Sequence, residues 1–243
     1  RLPFREVFEA LVKASKTTVS VTIACACAGI VIGIVSMTGI GIKFTSIVFQ
    51  LSGGNIILML LLVMLACIVM GMGLPSTAAY IIAATVGVPT LVAAGISTLA
   101  ANLFVFYFAI MSFITPPVAV AAYAAAGLAD TSASKTGWQA FMLGMPGFII
   151  PFVYVFNPAL LIVDTSTMDT LYIVVLATFG VILTSIAVIG WFKGTLHPII
   201  RLLIAISALL MFVSGTIYDI IGIVMGIAIM GYLLVTRKKR VAA

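Results

Sequence analysis

Gly71-Met72-Gly73-Leu74-Pro75-Ser76-Thr77-Ala78-Ala79-Tyr80 interrupts an apolar run with no Lys, Arg, Asp or Glu between Lys43 and Asp130. Two glycines, a proline and two hydroxyls do not continue a helix well. Gly73 lowers helix propensity, and Pro75 lacks an N–H and crowds the preceding turn. In hydrocarbon such a break leaves backbone N–H and C=O groups unpaired, which is tolerated only where protein or an aqueous cavity satisfies them. The break therefore reads as the lining of a site. A second one, Ile114-Thr115-Pro116-Pro117-Val118, follows in the same uncharged stretch. Paired breaks in otherwise apolar segments are the sequence mark of a binding site at membrane depth.

Composition agrees with a membrane setting. The chain is 64% hydrophobic and 7% charged, which excludes a soluble domain and predicts an all-α polytopic membrane protein. The net charge of +6 sits at segment ends and reads as membrane orientation. No basic face interleaved with aromatics occurs, so nucleic acid is not an expected partner; the lipid bilayer is. Cys25, Cys27 and Cys67 lie in apolar runs without a nearby His or Cys, so they read as buried small hydrophobes rather than metal ligands. The first residues, Arg1-Leu2-Pro3-Phe4-Arg5-Glu6, carry no initiator Met and no signal peptide, and read as part of a longer protein.

In chain order, residues 1–17 place Phe4, Val7, Phe8, Leu11 and Val12 at helical spacing opposite Arg5, Glu9, Lys13 and Lys16, an interfacial cytoplasmic helix. Residues 18–38 are long enough to span, with Gly29 and Gly33 in a G-x-x-x-G pattern. Lys43 to Gln50 reads as a surface connection and Ser52-Gly53-Gly54-Asn55 as a turn. Residues 55–88 form a helical hairpin around the first break, either re-entrant or two full spans. Ser76 or Thr77 is its expected inner cap, and Gly87-Val88-Pro89 its end. A proline-broken helix covers 91–128, and Asp130 to Gln139 is a polar loop. Residues 140–163 and 170–192 span, with Asp164 and Asp169 in the loop between them. In 199–236, Ser214-Gly215-Thr216-Ile217-Tyr218-Asp219 separates two short helices, with Asp219 solvated; His197 reads as an interfacial residue. With residues 1–17 inside, Lys135, Lys193, Arg201 and the basic run Arg237–Arg240 all fall on the cytoplasmic side, and only Lys43 breaks the positive-inside rule. Three parts result: 1–17, 18–165, and a C-terminal extension over 166–243.

A half-helix that starts within the membrane aims N–H groups and a positive dipole end at a site, which suits a carboxylate. One that ends there presents carbonyls, which suit Na⁺. Both breaks offer this pair. Gly71, Gly73 and Pro75 shape the first; Pro116 and Pro117 shape the second and withhold N–H donors from carbonyls upstream. The available side-chain oxygens are those of Ser76, Thr77, Ser112, Thr115 and Asn102. Hard cations prefer such oxygens. No acid or base lies in this core, which argues against a proton relay. No H-E-x-x-H, G-x-S-x-G or Asp-rich metal motif occurs, so an enzyme is not expected. A non-transporting membrane scaffold, whose breaks only shape packing, stays open beside a carrier.

The three motifs Gly71–Tyr80, Asn102-Leu103-Phe104-Val105-Phe106-Tyr107-Phe108 and Ile114-Thr115-Pro116-Pro117-Val118-Ala119, in this order, resemble the fused permeases of tripartite ATP-independent periplasmic (TRAP) transporters, in the branch that works with TAXI-type receptors. The resemblance covers residues 15–165. It implies half of an inverted-repeat, elevator-type carrier in a bacterial or archaeal cytoplasmic (inner) membrane, with the basic C-terminus cytoplasmic. It implies Na⁺ as coupling ion, no cofactor, and an organic-anion substrate brought by a periplasmic receptor. A small membrane subunit, or a fused upstream region, would be a further partner. On this resemblance Ser76, Thr77 and Thr115 would serve a Na⁺ site. Position 102 carries Asn where the family frequently has His.

Overall fold

A computed structural model of the chain describes residues 3–162, 165–212 and 215–241, with the side chains at 17, 20, 21, 24, 216 and 236–241 left aside. Among the described residues every regular element is helical, as the composition requires of a membrane-spanning chain. The chain divides into two compact units, Arg1–Phe113 and Ile114–Ala243.

The first unit begins with α1 (Phe4–Thr38) and α2 (Ile40–Ser52). No boundary separates an interfacial helix from a span: α1 runs through both without a break. Its N-terminal apolar residues Phe4, Phe8 and Leu11 are exposed, and a Cβ added at Gly29 or Gly33 would meet nothing. The expected connection over Lys43–Gln50 is instead helix α2. Ile40, Phe44, Ile47, Val48 and Leu51 hold helical spacing there, and Gly39 only turns the chain. Gly39 adopts φ 67, and the end of α1 meets α2 at 70°. The C-x-C cysteines fall two apart on α1 and so cannot share a face. Cys25 is half-buried and Cys27 exposed, contrary to expectation; Cys67 is buried.

The hairpin consists of α3 (Ile56–Gly71) and α4 (Ser76–Ala93). Asn55 caps α3, its side-chain oxygen accepting from the N–H groups of Ile57 and Leu58. At 1.5 Å per residue the arms rise about 24 and 27 Å, against a hydrocarbon core of about 30 Å. Pro89 does not end α4, which continues to Ala93. A proline inside a membrane helix is tolerated where neighbours re-satisfy the backbone. Here Thr90 lies fully buried, donates to Val86 O at 2.7 Å, and stands 2.8 Å from the Thr45 hydroxyl of α2. Gly41 of α2 comes close beside Thr85 O, the carbonyl that Pro89 cannot serve; a Cβ there would lie 3.5 Å from it.

The next helix, α5 (Thr98–Met111), starts later than expected, because residues 91–93 still belong to α4 and Ser97 caps α5 through Ala100 N–H. α3, α4 and α5 pack on one another around Leu60, Val63, Cys67, Ala79, Ala83, Ala101, Phe104, Val105 and Phe108, all fully buried. Gly87 permits the three-way approach: a Cβ there would come within 2.8 Å of Val105 and 3.3 Å of Cys67.

The second unit holds α6 (Val120–Leu128), α7 (Ala133–Gly144), α8 (Ile150–Phe156), α9 (Thr167–Ile189), α10 (Pro198–Leu210) and α11 (Thr216–Val241). The expected polar loop shrinks to a short connection, since α7 starts at Ala133. The apolar run beginning there reaches Phe156, not 140–163, through a 3₁₀ segment at Met145–Ile149. Asp169 lies in the first turn of α9 rather than in a loop; Asp164, Ser214 and the side chains of Arg237–Arg240 fall outside the described residues. α11 is 26 residues long, not short, and Asp219 in its first turn is buried, accepting from Tyr172 Oη at 3.0 Å. α9, α10 and α11 form a bundle on Leu176, Leu183, Ile204, Met211 and Leu233. Its close approaches need small residues: Phe212 lies over Gly180, Ser207 Oγ donates to Gly222 O at 2.7 Å, and Gly226 faces Leu183.

Candidate functional site

At the hairpin tip α3 ends at Gly71 and the chain turns through Met72–Pro75. Met72 N–H donates to Val69 O and Leu74 N–H to Gly71 O. Gly73 takes φ +76, a left-handed conformation that strains any residue with a Cβ. Pro75, not Ser76 or Thr77, occupies the N-cap of α4, and no side chain caps this helix. Proline fits because its fixed φ matches the observed −57° and a missing N–H costs nothing at a helix start. The displaced serine and threonine then become the first helical residues. The first intrahelical bond reaches Pro75 O from Ala79 N–H. The amides of Ser76, Thr77 and Ala78 have no partner within the helix. Gly73, Pro75, Ser76 and Thr77 are exposed, and neither hydroxyl has a hydrogen bond among the described residues.

The tip rests on the end of α5. A Cβ placed on Gly71 would stand 2.5 Å from Ala109 O and 2.8 Å from Ser112 Oγ. Ser112 is buried and donates to Ala109 O at 2.6 Å. One turn into α4, Tyr80 Oη donates to Asn102 Oδ1 at 2.8 Å, while Asn102 Nδ2 donates to Thr98 O at 2.7 Å. The Tyr80 ring meets Phe106 edge-on at 5.3 Å. The structure thus brings Gly71 to Ser112 and gives Asn102 a partner from the hairpin. Nothing singled out Tyr80 for this role, although a phenol in an apolar helix needs a partner and marks where to look for one.

The second break is built within its own unit. Pro116 and Pro117 withhold N–H groups from Ser112 and Phe113, four positions back. Thr115 O accepts instead from Ala119 N–H at 3.1 Å, and Ala119, fully buried at φ 29, starts α6. Tyr123 Oη donates to Pro117 O at 2.6 Å, and its ring covers Gly137 of α7, where a Cβ would come within 2.8 Å. Gly144 leaves room for the Ile114 side chain. Two aromatic hydroxyls therefore hold the two interruptions, Tyr80 beside the first and Tyr123 on the second. Thr115, Pro116 and Pro117 are half-buried to exposed.

Residues 1–168 match the model of one protein family, described as the DctM component of the tripartite ATP-independent periplasmic transporter. That stretch holds both breaks and most of the chain.

The chain belongs to the DctM family.

It is accordingly a membrane permease of a TRAP transporter, and membership implies a periplasmic binding protein and a small membrane subunit as partners. Neither a curated protein nor a solved structure matches the chain. The DctM match takes in α1 to α8 and only the first two residues of α9, so α10 and α11 lie outside it.

Proposed function

We propose that this chain carries part of the translocation pathway of a secondary, Na⁺-coupled TRAP permease. The permease imports a carboxylate-bearing organic anion through the cytoplasmic (inner) membrane of a bacterium or archaeon. The observation that carries the reading is the uncapped start of α4. The amides of Ser76, Thr77 and Ala78 lack helical partners, and exposed Ser76 and Thr77 add two hydroxyls unbonded among the described residues, at a tip with no charged residue near it in sequence. Amides at a helix start attract a carboxylate, and hydroxyl and carbonyl oxygens suit Na⁺. Ser76 and Thr77 at the first break, and Thr115 at the second, are the proposed oxygen ligands of the coupling ion. α4 is long and apolar enough to cross a membrane, so length allows two spans as well as re-entry; the uncharged tip supports a re-entrant hairpin with its tip at membrane depth. The receptor is proposed to be of TAXI type, the membrane partner a small subunit or a fused upstream region, and the basic end after α11 cytoplasmic.

The test is uptake into proteoliposomes by the full-length permease with its membrane partner and receptor under an imposed Na⁺ gradient. Candidate organic acids are first screened for binding to the receptor. Ser76→Ala/Thr77→Ala and Thr115→Ala are expected to lower uptake at least about tenfold, the loss of one to two oxygen contacts to an ion, while membrane insertion stays intact. Full Na⁺-dependent uptake in these variants overturns the ligand assignment. Absent uptake by a correctly inserted wild type, with a receptor that binds its ligand, overturns the carrier reading and favours a scaffold.

A further inference from the structure

At the edge of the C-terminal bundle, Arg201 of α10 bends over the end of α9. Its Nε–H donates to Ala187 O at 2.9 Å and its Nη2 to Val188 O at 2.9 Å. These are terminal carbonyls of α9, and a guanidinium there satisfies them and complements the helix dipole. A guanidinium has five N–H donors, and these two bonds leave three. No carboxylate pairs with Arg201 among the described residues. Asp169 and Asp219 lie in the first turns of α9 and α11, at the opposite end of the bundle. Arg201 is thus a half-buried cation whose charge has no counter-ion in its unit's described residues.

It also lines one end of an open groove of about 460 Å³. The rest of the lining is almost wholly apolar: Met142 and Met145 on one side, Ala187, Val188, Leu202 and Ala205 on the other. Its one further hydroxyl, on Thr184, is spent on Gly180 O at 2.9 Å. Ala205 and Thr184 lie one turn deeper along their helices than Arg201 and Val188, so the groove runs inward from the cation. Past the end of α9, the turn to α10 adds exposed Trp191 and exposed Lys193, residue types that settle at the headgroup level.

We propose that this groove binds one anionic phospholipid, with an acyl chain along Met142, Met145, Leu202 and Ala205 and the phosphate on the free N–H groups of Arg201. A basic residue at the mouth of an interhelical pocket is the arrangement that selects anionic headgroups, and a planar guanidinium takes phosphate oxygens two at a time. A free phosphate or carboxylate would use the cation and leave the apolar walls uncovered. A zwitterionic lipid would cover the walls but bring its own cation to the guanidinium. Only an anionic amphiphile answers both features.

Native mass spectrometry of the full chain, released from micelles containing equal phosphatidylglycerol and phosphatidylcholine, reads the site directly. One phosphatidylglycerol is expected to be retained in preference, by about fivefold, the factor one basic residue supplies at an anionic surface. Arg201→Gln is expected to abolish the preference and Arg201→Lys to keep part of it, while Ala205→Phe, which fills the groove and leaves Arg201 in place, lowers retention of both lipids. Because Arg201 also holds the end of α9, each variant is compared at equal helix content, and Ala205→Phe carries the test if Arg201→Gln does not fold. Equal retention of the two lipids by the wild type, an unchanged preference in Arg201→Gln, or unchanged retention in Ala205→Phe overturns the proposal. Displacement of the lipid by millimolar inorganic phosphate reassigns the site to a free anion and equally overturns it.

Discussion

The hydroxyl of Tyr80 and the amide of Asn102 form a chain that ends on Thr98 O, so the Asn102 side chain is oriented from both sides. Asn102 therefore acts on the hairpin first, by fixing α4 to α5 one turn behind Ser76. A coupled pair loses its bond once, whichever partner is removed. Tyr80→Phe and Asn102→Ala are each expected to cost about 0.6–1 kcal/mol, the scale of one interhelical hydrogen bond, and the double variant no more than the larger single change. Thermal melting of the four proteins in micelles measures this, and strictly additive losses would refute the coupling. Gly71→Ala is expected to cost about 1–3 kcal/mol by overpacking, because its new methyl meets Ala109 O at 2.5 Å, a backbone atom that cannot swing aside. Gly73→Ala meets a different obstacle, about 1–2 kcal/mol of left-handed backbone strain. At this scale the sequence showed which residues are unusual but not what each one touches. Gly71 and Gly73 read alike as breakers; one is required by a neighbour and the other by its own φ. The partner of Asn102 lay 22 positions back, beyond any local pattern.

Helices α9, α10 and α11 approach through Gly180, Gly222 and Gly226, and the Ser207–Gly222 bond links the last two helices where side-chain bulk is excluded. Without a hydrophobic drive between helices in lipid, such close contacts and interhelical bonds are what hold them. Gly222→Leu is accordingly expected to separate α11 from α10, since even a Cβ there comes within 2.9 Å of Ser207 O. Ser207→Ala removes only the bond, at about 0.6 kcal/mol. Cross-linking yield between cysteines placed on the two helices distinguishes them: it falls sharply in the first and stays near wild type in the second. Element existence was legible where apolar runs were long, as in α3, α5 and α9. Boundaries failed where one polar or proline residue was given too much weight. Lys43 and Gln50 disguised α2, Pro89 appeared to stop α4, and Lys135 with its neighbours disguised the start of α7. In each case apolar spacing or a neighbouring helix outweighed the local signal, as tertiary context does for helix propensity.

Over the whole chain, the family match and both breaks fall in residues 1–168, while the bundle that carries the Arg201 groove is completed by helices outside that range. The architecture was legible because an apolar chain in lipid has few options. The contents of the candidate site were legible as residue types at two breaks, and the holding hydroxyls of Tyr80 and Tyr123 were not, because they depend on packing. α9 has 23 residues and rises about 34 Å, enough to cross the hydrocarbon core. Cysteines at Thr165 and Lys193 are therefore expected to react with an impermeant thiol reagent from opposite faces of sealed vesicles; labelling of both from one face would refute the crossing. Between Lys43 and Asp130 no side chain of Lys, Arg, His, Asp or Glu is present, and both interruptions lie in that stretch. A charge moved through the membrane field does work of about 2.3 kcal/mol per 100 mV, and these segments bring no such charge with them. Any displacement of the hairpin thus carries no side-chain charge through the field, and only its helix-end dipoles contribute on their own account. A partial step that moves these segments without cargo is therefore expected to give little transient charge, whereas the same step with cargo aboard registers the anion and its accompanying cations.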